Sequence, residues 1–307
     1  MLIDRIKVTI FQLKLYLHPM LSKFTLPIAL FAALLAQPLL AAAATPLRVM
    51  SFNTRTTLGT HDGPEEWPNR RALFMQTVKA AHPDVIGTQE LTQIQGDDIV
   101  HDLPEYRWFG LDRRGGHTDE HMGVFYRRDR LTLVRSGNFW LSDTPAIAGS
   151  NSWHTPFPRM ATWGLFEEKA GHRRFYLFDT HLFYRAEDEP ARTKGVRVLL
   201  EQMARIMGDS GLPVVVTGDF NTIPGSDAYK LLAAQLIDVR TAVPKVSGPE
   251  KTFHNFTGNP DQRIDWMFEK GFTPLSFATI TTSRDGLYPS DHFPIFAVLQ
   301  WRQRKDR

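Results

Sequence analysis

The sequence predicts an α/β domain in which two β-sheets pack face to face with helices outside. Three observations lead there. Apolar runs of strand length, rich in Val, Ile, Phe and Trp, recur through residues 45–307. Helical periodicity appears between some of these runs but not all, as layered α/β or α+β folds require. No Gly/Ser-rich linker, low-complexity tract or internal repeat interrupts the region, so one domain of about 260 residues is the simplest division.

The first segment reads as targeting rather than fold. Lys23 precedes an apolar run from Phe24 and small residues ending at Ala42-Ala43-Ala44, the order of a secretory signal peptide. We expect residues 1–44 to be cleaved near Ala44 and the chain 45–307 to be exported, periplasmic or secreted. Met20 is an alternative start, because the residues before it lengthen the charged region unusually. Retention as a membrane anchor is the competing reading, but Pro27, Pro38 and the small-residue ending suit cleavage better. The segment holds Arg5, Lys7, Lys14 and Lys23 against Asp4, a net +3 equal to the +3 of the whole chain, so the mature protein is near neutral. A protein that neutralises many nucleic-acid phosphates would keep a basic excess. The strongest basic cluster, the terminal WRQRKDR, reads as a solvated end. The absence of cysteine excludes disulfides and thiolate metal sites.

The strand-like runs are LRVMSFN (47–53), DVIGTQE (84–90), HMGVFYRR (121–128), ATWGLFEE (161–168), RRFYLFDTHL (173–182), PVVVTGDFN (213–221), RIDWMFEK (263–270) and FPIFAVLQW (293–301). A helix is expected from Asn69, acting as N-cap, to about residue 83. A second spans 189–211, with Val196, Leu199, Leu200, Met203 and Ile206 on one face, and a third lies in SDAYKLLAAQL (226–236).

Polar residues that are costly to bury end these runs. They are Asn53, Glu90, His181, Asp219 with Asn221, Asp265 within RIDWMF, and Asp291 with His292 in SDH just before the last run. Rigid scaffolds present chemistry at strand ends, so convergence on one rim is expected. Glu90 offers the hard oxygen that Mg²⁺ accepts, although a strand-end Glu also serves in surface ion pairs. Asp219 and Asn221, two apart on a strand, would share a face and grip one reacting group, with an Asx-turn as the alternative use. His292 suits proton traffic near neutral pH.

Taken in order from MSFN to SDHFPI, these motifs resemble the endonuclease/exonuclease/phosphatase superfamily, the deoxyribonuclease-like family of nucleases, sphingomyelinases and inositol phosphatases. The resemblance implies a four-layer α/β/β/α sandwich of two packed mixed β-sheets, with the site at one end. It implies metal-assisted hydrolysis of a phosphate ester by in-line attack of water. Mg²⁺, with Mn²⁺ as the alternative and one or two ions, would sit on Glu90 with Asn53 beside it and Asp291 close by. Asp219 would orient or deprotonate the water, and Asn221 would hydrogen-bond the phosphoryl oxygen. Asp265 would support His292, and His181 would contact the phosphate and protonate the leaving oxygen. Arg159 in PFPRMATW would approach the phosphate, a structural ion pair being its alternative role.

Substrate choice is less legible. Phe183, Tyr184, Arg185 and Arg192 follow His181 and combine aromatic with cationic groups able to hold a sugar, base or second phosphate, so Arg185 and Arg192 join Arg159 as substrate-binding candidates. Many bacterial relatives carry Asp-His where Phe183 and Tyr184 stand, and ordinary loop packing is the alternative. His61, His101, His117, His121, His154 and His172 lack ligand spacing and read as surface residues. Small phosphodiesters and nucleic acid both stay open as substrates, with a phosphomonoester as the alternative ester. A sphingomyelinase of phospholipase C type, or a non-catalytic member binding phosphate or glycan, are the alternatives. No long hydrophobic hairpin follows Thr45, so no stable membrane insertion of the mature chain is expected; a monomer is the expected state.

Overall fold

The computed structural model describes residues 45–302; the expected signal segment and the last five residues of the basic end lie outside the described residues. In chain order the elements are β1 (Leu47–Asn53), α1 (Trp67–Ala81), β2 (Val85–Gln89), α2 (Gln93–Asp102), β3 (Tyr106–Phe109), β4 (Val124–Arg127), β5 (Leu131–Trp140), β6 (Met160–Glu168), β7 (Arg173–His181), α3 (Glu189–Met207), β8 (Val214–Asp219), α4 (Asp227–Ala233), β9 (Ile237–Asp238), α5 (Val239–Ala242), β10 (Val246–Ser247), β11 (Asp265–Lys270), β12 (Phe272–Thr279) and β13 (Ile295–Trp301). They form one sheet in the order β10-β12-β13-β1-β2-β4-β3 and another in the order β5-β6-β7-β8-β11-β9. Both sheets are mixed: β1 runs parallel to β2 and β7 parallel to β8, while β13, β4, β6 and β11 are antiparallel to these.

Strand periodicity explains the layering. In β8, Val214 and Val216 face α3 and α4, packing with Leu199, Met203 and Leu232, while Val215 faces the other sheet and meets Val49, Val85 and Ala297. A strand covered on both faces has no polar side, hence the unbroken valine run. In β1 the same alternation sends Leu47 and Val49 inward and Met50 and Phe52 outward against Phe74 and Val78 of α1. Helices therefore cover both outer faces, which makes a four-layer α/β/β/α sandwich.

Polar groups bridge the two sheets close to the site. Gln89 donates to Asp179 Oδ1 at 2.7 Å, and the Thr217 hydroxyl donates to the same oxygen at 2.7 Å. Burial pushes the Asp179 carboxyl well above its ordinary range. Gly87 leaves room for this contact, since a Cβ there would strike both the Asp179 carboxyl and the Thr217 hydroxyl.

Several local expectations need correction. The first helix starts at Trp67 with Glu66 as its N-cap, because Pro68 fits the first turn with its fixed φ; Asn69 instead donates to Pro64 O. The polar helix α2 follows a capping box formed by Thr92 and Gln95. His121 is fully buried, with Nδ1 3.0 Å from Leu91 O, and burial lowers its pKa, so it is no surface residue. Among the described residues no helix is long and apolar enough to cross a membrane.

Candidate active site

Strand direction decides which residues meet. β1, β2, β7 and β8 run toward one rim and deliver their C-terminal ends there: Asn53, Glu90 just beyond β2, His181 and Asp219. The antiparallel strands β4, β6, β11 and β13 start from that rim, so it receives the residues at or just before their first positions: Glu120, Arg159, Asp265, and Asp291 with His292. His181, Asp219 and Asp265 occupy one row across three neighbouring strands, His181 opposite Asp219 and Asp219 opposite Asp265.

Three of the strands that run into the rim are followed by a residue in the left-handed region: Arg55 (φ 56°), Glu90 (φ 59°) and Asn221 (φ 49°). Such backbone is unfavourable for a non-glycine residue and concentrates at functional sites. At Asn221 it breaks the period of two expected from the sequence. Asn221 lies beyond the strand, and its N–H donates to Asp219 Oδ1 at 3.0 Å. The Asx-turn thus coexists with a place in the site, because the turn swings the Asn221 amide to 2.9 Å from His181 Nε2.

The two histidines are driven to opposite charge states. His292 Nδ1 lies 2.9 Å from Asp265 Oδ2 and its Nε2 lies 3.7 Å from Asp219 Oδ2. Burial opposes its charge, but Asp265, Asp219 and Asp291 together raise its pKa well above the ordinary value. His181 is buried, and Arg159 Nη1 donates to its Nδ1 at 2.8 Å. Burial first, then the Arg159 charge, hold His181 well below its ordinary pKa. The ring's other nitrogen, Nε2, faces the Asn221 amide. Asp219 Oδ2 lies 3.4 Å from that nitrogen.

The carboxylates differ as well. Burial chiefly, with the charges of Asp265 and Glu90, raises Asp219 to about 7 against the pull of His292. Glu90 stays below its ordinary value despite burial, because of His292, the Asn53 amide, the Thr56 N–H and Arg55. Glu90 is therefore a standing carboxylate while Asp219 is poised near neutrality.

The sequence-derived residues are not all placed as expected. Asn53 Nδ2 bridges Glu90 Oε1 at 3.1 Å and Asp219 Oδ2 at 3.0 Å, and its Oδ1 accepts the Arg55 N–H. In this orientation it holds two carboxylates together rather than presenting a ligand oxygen. Asp291 Oδ2 lies 3.6 Å from Arg55 Nη1, and burial raises its pKa. Arg185 and Arg192 are not among the residues that line the cavity. Arg185 is committed to Asp188, and the buried Arg192 holds the carbonyls of Phe183 and Arg185, so both brace the loop after β7. Of the aromatic pair, Phe183 is buried and Tyr184 reaches the cavity.

Glu120 and Arg113 escaped the sequence reading. Glu120 Oε2 accepts from Arg113 Nη1 at 2.7 Å and lies 3.8 Å from Arg159 Nη1. Burial, then the Glu90 charge, raises Glu120 to about 7. The missed signal was an acid just before an apolar run, since an antiparallel strand enters the rim at its start.

The donor set fits a hard divalent cation. A cavity of about 440 Å³ is lined by Glu90, Glu120, Asp219 and Asp291 against Arg55, Arg113 and Arg159. One oxygen each from Glu90 and Asp219 and one His181 nitrogen lie within 4.8 Å of one another. Oxygen-rich, sulfur-free sites suit such cations.

A buried carboxylate-supported histidine, a carboxyl poised near neutrality and an ionised glutamate at the end of a two-sheet sandwich define the class of metal-dependent hydrolases acting on phosphate esters. The chain belongs to the endonuclease/exonuclease/phosphatase family, whose model matches residues 50–292. A mannosyl-6-phosphatase from Bacteroides thetaiotaomicron is 30% identical with a TM-score of 0.77, covering 82% of this chain and 99% of its own. Human nocturnin is 25% identical over 299 residues, 85% of this chain and 67% of nocturnin. An uncharacterized protein of Acanthamoeba polyphaga mimivirus is 28% identical over 166 residues, and the match spans 51% of this chain and 60% of the viral protein.

Proposed function

We propose that the protein is an exported, Mg²⁺-dependent phosphoesterase that hydrolyses a small phosphate ester, a sugar phosphate foremost. The observation that carries this reading is one carboxylate, Asp219, set between two histidines, His292 paired with Asp265 and His181 with Arg159. Environments that push neighbouring titratable groups apart mark acid and base assignments.

Glu90, with Asp291 near it, is the residue that would hold the ion. When bound, Mg²⁺ supplies Lewis-acid polarisation of a phosphoryl oxygen. The chain's own groups do the rest. Asp219, poised near 7, orients a water and accepts its proton. His292, kept charged by Asp265, stabilises the negative charge that develops on the phosphoryl group. His181, kept neutral by burial and by Arg159, and Asn221 beside it face another phosphoryl oxygen. Arg159 stays protonated although burial lowers it to about 10, and it fixes the His181 ring.

A small substrate is favoured over a polymer for two reasons. The cavity has the volume of a small-molecule site. Its arginines are already engaged by acids, Arg55 with Asp62 and Arg113 with Asp119 and Glu120, leaving no open basic track for a polyanion among the residues that line it. The likeness to the mannosyl-6-phosphatase supports a sugar phosphate.

The purified chain 45–307 should hydrolyse mannose 6-phosphate or bis-p-nitrophenyl phosphate with Mg²⁺, lose activity in EDTA and regain it when Mg²⁺ returns. Absence of turnover on a panel of sugar phosphates, phosphodiesters, sphingomyelin, DNA and RNA would leave a binding member instead. Export rests on residues 1–44, and the mass of the protein recovered from a periplasmic or culture fraction checks it. A full-length chain confined to the cytoplasm would overturn that part.

A further inference from the structure

Phe157 and Tyr184 stack with ring centroids 5.9 Å apart and planes 12° from parallel. Arg113 and Arg159 both lie over Phe157, their guanidinium carbons 4.4 Å and 4.7 Å from its centroid. Arg159 continues to His181 at 2.8 Å, so this ladder of flat groups starts beside the reacting centre and ends on Tyr184. All but the outermost rung are held: Arg159 is buried, and Arg113 is paired with Asp119 and Glu120. Tyr184 differs, because it lines the cavity yet remains 59% exposed. One face stacks on Phe157, and the exposed remainder belongs to the cavity wall. A large exposed aromatic at the mouth of a polar site is costly to leave wet, and a flat or apolar ring face is what complements it.

Resting on the phosphoesterase reading, we infer that Tyr184 is the specificity-determining residue for the alcohol half of the substrate, and that this half carries a ring which stacks on the exposed tyrosine. The shared chemistry is a phosphate monoester of a ring-bearing alcohol. A hexose presents its C–H face to such a surface, and a nucleotide its base. The phosphate lies at Asp219 and His181, and the ring extends outward along the ladder. Asn255 and Gln262 also line the cavity and offer amides to ring hydroxyls or base edges.

Tyr184→Ala, Tyr184→Phe and wild type should be compared with mannose 6-phosphate, AMP and glycerol 3-phosphate. The expected result is a rise of about tenfold in KM for one ring substrate in Tyr184→Ala, with kcat within about twofold. Tyr184→Phe should restore the wild-type KM, and ringless glycerol 3-phosphate should not respond. Whether mannose 6-phosphate or AMP responds identifies the ring. Calorimetric binding of the same esters to Asp219→Asn protein, with and without Tyr184→Ala, separates the two readings. Loss of turnover everywhere with Tyr184-dependent binding retained overturns hydrolysis alone. Equal affinity in the Tyr184 variants, an equal effect on glycerol 3-phosphate, or no binding of either ring ester overturns the ring inference.

Discussion

Asp265 and His292 meet at 2.9 Å, Oδ2 to Nδ1, within a site where both are buried. One comes from the first residue of β11 and the other from just before β13, in different sheets. The pair sets the ring orientation and the charge of His292 together. Asp265→Asn keeps the shape and removes the charge, so turnover should fall roughly 10²- to 10⁴-fold, the range that positioned acid–base groups contribute. Steady-state kinetics on a folded variant, checked by circular dichroism, decide this; a loss below about threefold would detach the pair from the chemistry.

The same pair makes a stability prediction with a definite sign. The folded pKa of His292 is raised above its unfolded value near 6.5, so its contribution is fully present below 6.5 and disappears as pH rises through the folded pKa. Asp265→Asn should therefore destabilise more at pH 6 than at pH 10. Urea unfolding of wild type and variant at the two pH values gives the difference; an equal or reversed effect contradicts the charge assignment.

Arg159→Ala removes the cation next to Glu120 and the donor to His181 Nδ1. Unpairing a buried charge costs about 3 to 5 kcal/mol, and the low end is expected because Arg113 still holds Glu120. The His181 pKa should rise once the neighbouring positive charge is gone. Denaturant midpoints and an NMR titration of the ring measure the two effects separately.

Gly87→Ala places a methyl group against the Asp179 carboxyl and the Thr217 hydroxyl in the space between the sheets. Overpacking of this sort costs about 1 to 3 kcal/mol. Gln89 hangs from the same Asp179 and directly precedes Glu90, so activity should fall with stability. A variant as stable and active as wild type would show that the sheets separate easily there.

Much of the site was readable because burying a polar group is expensive. An apolar run that closes on Glu90, His181 or Asp219 announces a partner, and the order of such runs carried the family resemblance. The layered fold was readable for a related reason, since PVVV with alternating neighbours must be covered on two sides. The sequence determined which residues are costly, which apolar runs have strand length, and that a carboxylate and histidine set exists. It could not show that Glu120 enters the same rim, because that depends on the antiparallel direction of β4. Nor could it show that Asn221 reaches His181 through a left-handed turn, or that Arg185 and Arg192 are occupied by their own loop. Only the tertiary structure put Arg159 on His181. Charge states depend on burial and on neighbours distant in sequence, and no local pattern encodes either.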